Sequence, residues 1–154
     1  MKNYTTTITL LIAVLGLVFF QGCAQHPLGA VKVTGTVTVD GAAMEGVSVT
    51  FSPNDSEGRE AYGTTDADGR FVLTIPGTEP GSGAIPGDYI VTFAKMENPA
   101  DGLSDEEILS RYGRMPDPID LLPTRYKNRT GADVTTATVE ARGRNDFPFA
   151  LTSR

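Results

Sequence analysis

Val31, Val33, Gly35, Val37 and Val39 alternate without a break against Lys32, Thr34, Thr36, Thr38 and Asp40. Period two over ten residues fits a strand with one buried face; a helix would repeat its apolar positions every three to four residues. Asp40-Gly41 then supplies a turn, because glycine accepts positive φ without steric cost. Val47, Val49 and Phe51 against Ser48, Thr50 and Ser52 make a second alternating strand, ended by Pro53.

The same grammar continues along the chain. A weaker strand is expected over 59–64, and Asp66-Ala67-Asp68-Gly69 turns into an alternation of Phe71, Leu73 and Ile75. Residues 76–86 are rich in Gly and Pro and read as a loop. Residues 88–94 are apolar on both parities, as in a covered central strand. Residues 134–141 and 147–151 complete the set, with Arg142-Gly143-Arg144-Asn145 expected as a hairpin loop between them. About seven strands between turn signals predict an all-β, seven-stranded antiparallel sandwich, immunoglobulin-like in its layers, over residues 31–154. Its expected core is Val37, Val39, Val47, Val49, Phe51, Phe71, Leu73, Tyr89, Val91, Phe93, Val139, Phe147, Phe149 and Leu151.

One segment breaks the pattern. Ser104-Asp105-Glu106-Glu107 is a capping box with acids at the positive end of a helix. Ile108, Leu109 and Tyr112 give that helix a small apolar face before Gly113 stops it. It is expected as two or three turns inside a long connection, 96–122, serving either as a lid over one end of the sandwich or as a partner-binding element.

The first 22 residues read as a signal peptide. Lys2 precedes an apolar run from Ile8 to Phe20. At about 1.5 Å per residue this run spans ~20 Å, short of the ~30 Å hydrocarbon core a crossing helix needs. Phe20-Gln21-Gly22-Cys23 follows and resembles the lipobox of bacterial lipoproteins. That resemblance implies cleavage after Gly22, acylation of Cys23 and a tether over 23–30, in which His26 is a solvated linker residue. Cys23 is the only cysteine of the chain and stands at the end of the apolar run.

Scarcity excludes much chemistry. One cysteine permits no internal disulfide, and with His26 as the only histidine the body lacks the residues of zinc sites, Cys/His pairs and Ser/His/Asp triads. A net charge of −6, without a concentrated basic surface, argues against nucleic acid. Asp66, Asp68 and Gly69 look like the start of a calcium loop but lack its third oxygen ligand and closing glutamate, so they are read as a turn. Glu106 and Glu107 point to different sides of the expected helix and are read as helix-start residues.

Val33 to Gly41, Gly46 to Phe51, Thr64 to Phe71 and Pro86 to Val91, taken in order and spacing, resemble the carboxypeptidase regulatory-like (transthyretin-like) domains of small bacterial lipoproteins. Leu122 to Tyr126 and Asn145 to Leu151 resemble the tails of such proteins. The resemblance implies a non-catalytic accessory fold exported to the envelope. Hydrolases and dioxygenases on related sandwiches use histidines within the sandwich, which this body lacks. A Lys-to-Asn isopeptide crosslink, as in collagen-adhesin-type repeats, would fall on Lys32 and Asn145, but the strand over 89–94 offers no carboxylate beyond Asp88 at its mouth, and Lys32 is on the polar parity.

These readings predict no catalytic, cofactor or metal residue, and Cys23 as the lipid attachment. The expected role is a binding or structural module held to a membrane, the outer one favoured because Ala24 is not the aspartate that retains lipoproteins at the inner membrane in some bacteria. Its partner would be an envelope protein or glycan. Two alternatives are an accessory subunit of an envelope complex and a glycan-directed enzyme using carboxylates among Asp88, Asp117, Asp120 or Glu140.

Overall fold

The computed structural model describes residues 29–55 and 58–154. The leader, Cys23 and His26 lie outside the described residues. Among the described residues the architecture is an all-β sandwich with one short helix. Strands β1 (Val33–Val39), β2 (Ala42–Ala43), β3 (Ser48–Pro53), β4 (Ala61–Thr64), β5 (Arg70–Val72) and β6 (Gly87–Ala94) lead to a ribbon strand β7 (Met96–Glu97). Helix α1 (Asp105–Tyr112), ribbon strand β8 (Ile119–Asp120), a 3₁₀ turn (Thr124–Lys127), β9 (Thr135–Val139) and β10 (Asn145–Leu151) follow.

One sheet has β10 on one side of β1 and both β2 and β5 on the other; its partner has the order β4-β3-β6-β9, and β7 and β8 form a separate ribbon. Backbone bonds between Tyr62 and Thr74, of 2.9 and 2.8 Å, stitch the two sheets together beside β4.

The valine alternation does what its period demands. Val33, Val37 and Val39 are buried while Thr34, Thr36 and Thr38 are half exposed. Gly35 stands where β1 meets two phenylalanines. A Cβ there would collide with the Phe147 carbonyl oxygen and lie 2.5 Å from Phe71 Cζ, so the inward alternation must skip a side chain at this point. Between the sheets the Phe51 ring packs against Phe71, Tyr89, Phe147 and Phe149, with centroids 5.7 to 6.5 Å apart. Tilted and edge-on geometries dominate, as ring quadrupoles prefer. Val33, Ala61, Ile75, Ala84, Leu122 and Ala137 are buried in the same cluster, beyond the expected core.

Three details differ from the sequence reading. First, β1 and β10 pair in parallel, Val33 beside Asn145 through Val39 beside Leu151. Second, residues 142–145 are not a hairpin: β9 belongs to one sheet and β10 to the other, so this turn crosses between sheets. The second difference explains the first. β9 runs antiparallel to β6, and the chain crosses at the end where β1 begins, which leaves β10 to run alongside β1 in the same direction. The Asn145 side chain clamps the crossing, accepting from Glu140 N–H and donating to Glu140 C=O at 2.9 Å each. Third, Phe147 and Phe149 are half-buried, because β10 is an edge strand and one side of each ring meets no neighbouring strand. Pro148 between them suits that edge, lacking the N–H an interior strand must donate.

The central strand β6 fixes the two ends of the body. Val31 pairs with Ala84 just before β6 begins, while Lys95 follows directly after it ends. The chain therefore enters at one end, and the 96–122 connection leaves from the other, one β6 length or about 26 Å away.

Candidate interaction surface

The 96–122 connection is a pinned excursion. β7 and β8 pair Met96 with Asp120 and Glu97 with Ile119, closing its base. Leu121 N–H donates to Lys95 C=O at 2.8 Å. The Asp120 carboxylate does most of the pinning: Oδ1 accepts from Lys95 N–H at 3.0 Å and Leu122 N–H at 2.9 Å, while Oδ2 meets Lys127 Nζ at 2.6 Å. Burial works against its charge, but Lys127 and the two backbone donors outweigh burial and hold its carboxyl below the ordinary value of 3.8. The neighbouring Leu122 side chain is buried in the sandwich core.

Helix α1 forms where the sequence places it. Ser104 Oγ accepts from Glu107 N–H, Glu107 accepts from Ser104 N–H at 2.9 Å, and Gly113 ends the helix at φ 69° with its N–H on Leu109 C=O. The Ser104 backbone N–H, then its hydroxyl, lower the Glu107 pKa. Ile108 is buried, but it stands apart from the sandwich core cluster, as does Ala100. The helix therefore packs onto its own loop more than onto the body, and Tyr112 hydroxyl donates to Pro99 C=O at 3.3 Å.

The rest of the excursion's apolar side chains face water. Met96, Leu109, Tyr112, Met115, Ile119 and Leu121 are exposed, against only Tyr62 and Val72 among the large hydrophobics elsewhere in the described residues. Leu109 is 66% and Met115 58% exposed, more than any edge of a core explains. Seven carboxylates and two guanidinium groups fall in residues 96–122, a net −5 against −6 for the whole chain. Arg114 pairs with Asp117 at 3.3 Å, both exposed. Glu97, Asp101, Asp105 and Glu106 are exposed, and their carboxylates have no hydrogen-bonding or ion-pair partner among the described residues.

The other residues singled out by sequence have structural employment. Asp66 Oδ1 accepts from Asp68 N–H at 3.0 Å and Arg70 N–H at 2.8 Å, which builds the turn into β5. Both polar groups of the Asn145 side chain serve the Glu140 crossing, and Lys32 is exposed. The four carboxylates are split: Asp88 and Glu140 lie at the end where the chain enters, Asp117 and Asp120 in the excursion. Along β6, Asp88 and the Lys95 N–H held by Asp120 are seven residues or about 23 Å apart, beyond the ~9.5 Å limit for paired glycosidase acids. No group of three or more His, Cys, Asp or Glu among the described residues is placed to hold a metal ion. No described helix is long and apolar enough to cross a membrane.

A concavity of about 410 Å³ lies over β6 and β9, lined by Asp88, Ile90, Arg129, Thr136 and Thr138 among others. Its two charges are already engaged: Asp88 accepts from Thr138 hydroxyl at 2.6 Å, and Arg129 donates to Glu60 at 2.9 Å. Glu60 also accepts from Tyr62 and Ser52 hydroxyls, and Tyr62 before the others lowers its pKa. No local pattern announces this network, because Glu60 and Arg129 are 69 positions apart.

No family model matches the chain, and no curated protein does. Among solved structures, a 9R-lipoxygenase from Cyanothece PCC8801 aligns over 95% of this chain at 12% identity with a TM-score of 0.33. The chain spans 20% of the length of that enzyme.

Proposed function

We propose that this protein is a non-catalytic binding module of the bacterial cell envelope, held to a membrane through acylated Cys23 and presenting the 96–122 excursion to a partner. In this reading the sandwich is a carboxypeptidase regulatory-like domain acting as a rigid spacer. The observation that carries the reading is the opposition of the two ends: the chain enters beside Val31 and Ala84, and the excursion, with most of the exposed large hydrophobics, leaves about 26 Å away at the far end of β6. An anchor at one end and an adhesive surface at the other suit a protein that holds something away from a bilayer. Two or three acyl chains, at ~0.8 kcal/mol per buried methylene, make the attachment firm.

Energy transfer to a lipid-headgroup acceptor tests this geometry. With Cys23 acylated, a cysteine introduced at Lys32 or at Leu109 is the one thiol left for a donor dye. In reconstituted vesicles the donor at 32 transfers efficiently and the donor at 109 weakly, and Cys23→Ser abolishes membrane association. Equal transfer from both positions, or membrane association that survives Cys23→Ser, overturns the reading.

A further inference from the structure

We infer that the excursion docks a protein surface with an apolar centre and a cationic rim. This inference rests on the reading above and names the chemistry of its partner.

A segment that exposes Met96, Leu109, Met115 and Ile119 forgoes burial of four large side chains, yet capping, the β7–β8 ribbon and the Asp120 pin hold it in one shape. Folded order without burial of these side chains is what a preformed docking element requires, because the ordering entropy is met before the partner arrives. Burying them together supplies the apolar centre that an interface needs.

Charge then selects the occupant. The excursion carries net −5, and the carboxylates of Glu97, Asp101, Asp105 and Glu106 have no partner among the described residues. A second copy of the same element would set −5 against −5. Anionic lipid is repelled for the same reason, and the bilayer at the tether end is more than two Debye lengths (~8 Å each) from the excursion. A basic rim satisfies the four carboxylates and quickens encounter, while an apolar centre covers the methionine, leucine and isoleucine side chains.

The test uses the full acylated protein in nanodiscs of zwitterionic lipid and three versions of a soluble three-helix scaffold. One helix of each displays leucines rimmed by lysines, serines rimmed by lysines, or leucines rimmed by glutamates. The leucine/lysine version binds at least tenfold tighter than either of the others, and tenfold more weakly when salt rises from 50 to about 200 mM. L109S/M115S/I119S and E97Q/D101N/D105N/E106Q each lose tenfold or more while the sandwich keeps its melting temperature, read by circular dichroism. Equal binding of the three scaffolds, unchanged binding by both variants, or dimerisation through Leu109 and Ile119 overturns the inference. Scaffold binding that fails while the donor at 109 still lies far from the lipid removes this partner chemistry alone. A donor at 109 close to the lipid removes the underlying reading.

Discussion

Replacing Asp120 with alanine should open the excursion and leave the sandwich closed. The carboxylate accepts two backbone N–H groups, of Lys95 and Leu122, and faces Lys127 Nζ at 2.6 Å. A hydrogen bond to a charged acceptor contributes about 1.5 to 3 kcal/mol, and water reaching the vacated site would recover part of two such bonds, which leaves a net loss of about 3 kcal/mol. This corresponds to a fall of roughly 150-fold in protection for amides that exchange by opening the excursion base. Hydrogen exchange followed by NMR reads it directly. Lys95, Leu121 and Leu122 should lose about two orders of magnitude. Val37 and Leu73, whose N–H groups bond to Gly69 and Val33 inside the sandwich, should change by less than threefold. Asp120→Asn keeps an acceptor but removes the negative charge that faces Lys127, and should lose about tenfold. An equal loss across both sets of amides, or protection at 95, 121 and 122 within threefold of wild type, would refute the claim that one carboxylate pins a separable unit.

The Asp120 carboxyl titrates below its ordinary value of 3.8, so its contribution is fully present above that pH and disappears as pH falls through the lower folded value. Acidification below pH 3.8 should therefore expose the excursion amides before the sandwich amides, a step absent from Asp120→Asn. Ser104→Ala removes the helix cap and should cut protection in α1 about fivefold without moving the sandwich melting temperature, read in the same exchange experiment. Phe51→Ala empties the centre of the ring cluster and should cost about 3 to 5 kcal/mol of global stability in urea unfolding. A cost under 1 kcal/mol would mean that the sheets close over the gap.

Local rules made much of the fold legible. Strand β1 follows from its alternation, and α1 from Ser104, Glu107 and Gly113, because those signals act within a few residues. What stayed hidden was long-range. The parallel pairing of β1 with β10 depends on the direction in which the chain crosses after β9, and the alternation within either strand does not encode that. Phe147 and Phe149 alternate like core residues, and only their place on an edge strand leaves them half-covered. Leu122 sits among loop residues and gives no periodic sign of its burial, which depends on Asp120 turning the chain back toward the core. Asp120 itself looked like any loop carboxylate, since its partners Lys95 and Lys127 lie on other elements. The exposed apolar character of the excursion was equally invisible, because Leu109 and Tyr112 have the spacing of a packed helix face and only the absence of a packing partner distinguishes them.

The proposed role requires an anchor at the end where the chain enters. Mass spectrometry of the protein extracted from membranes tests this in one measurement. The expected N-terminal tryptic peptide runs from Cys23 to Lys32, carries the mass of two or three acyl chains and lacks residues 1–22. A polypeptide that still begins at Met1 with a free thiol on Cys23 would contradict the account.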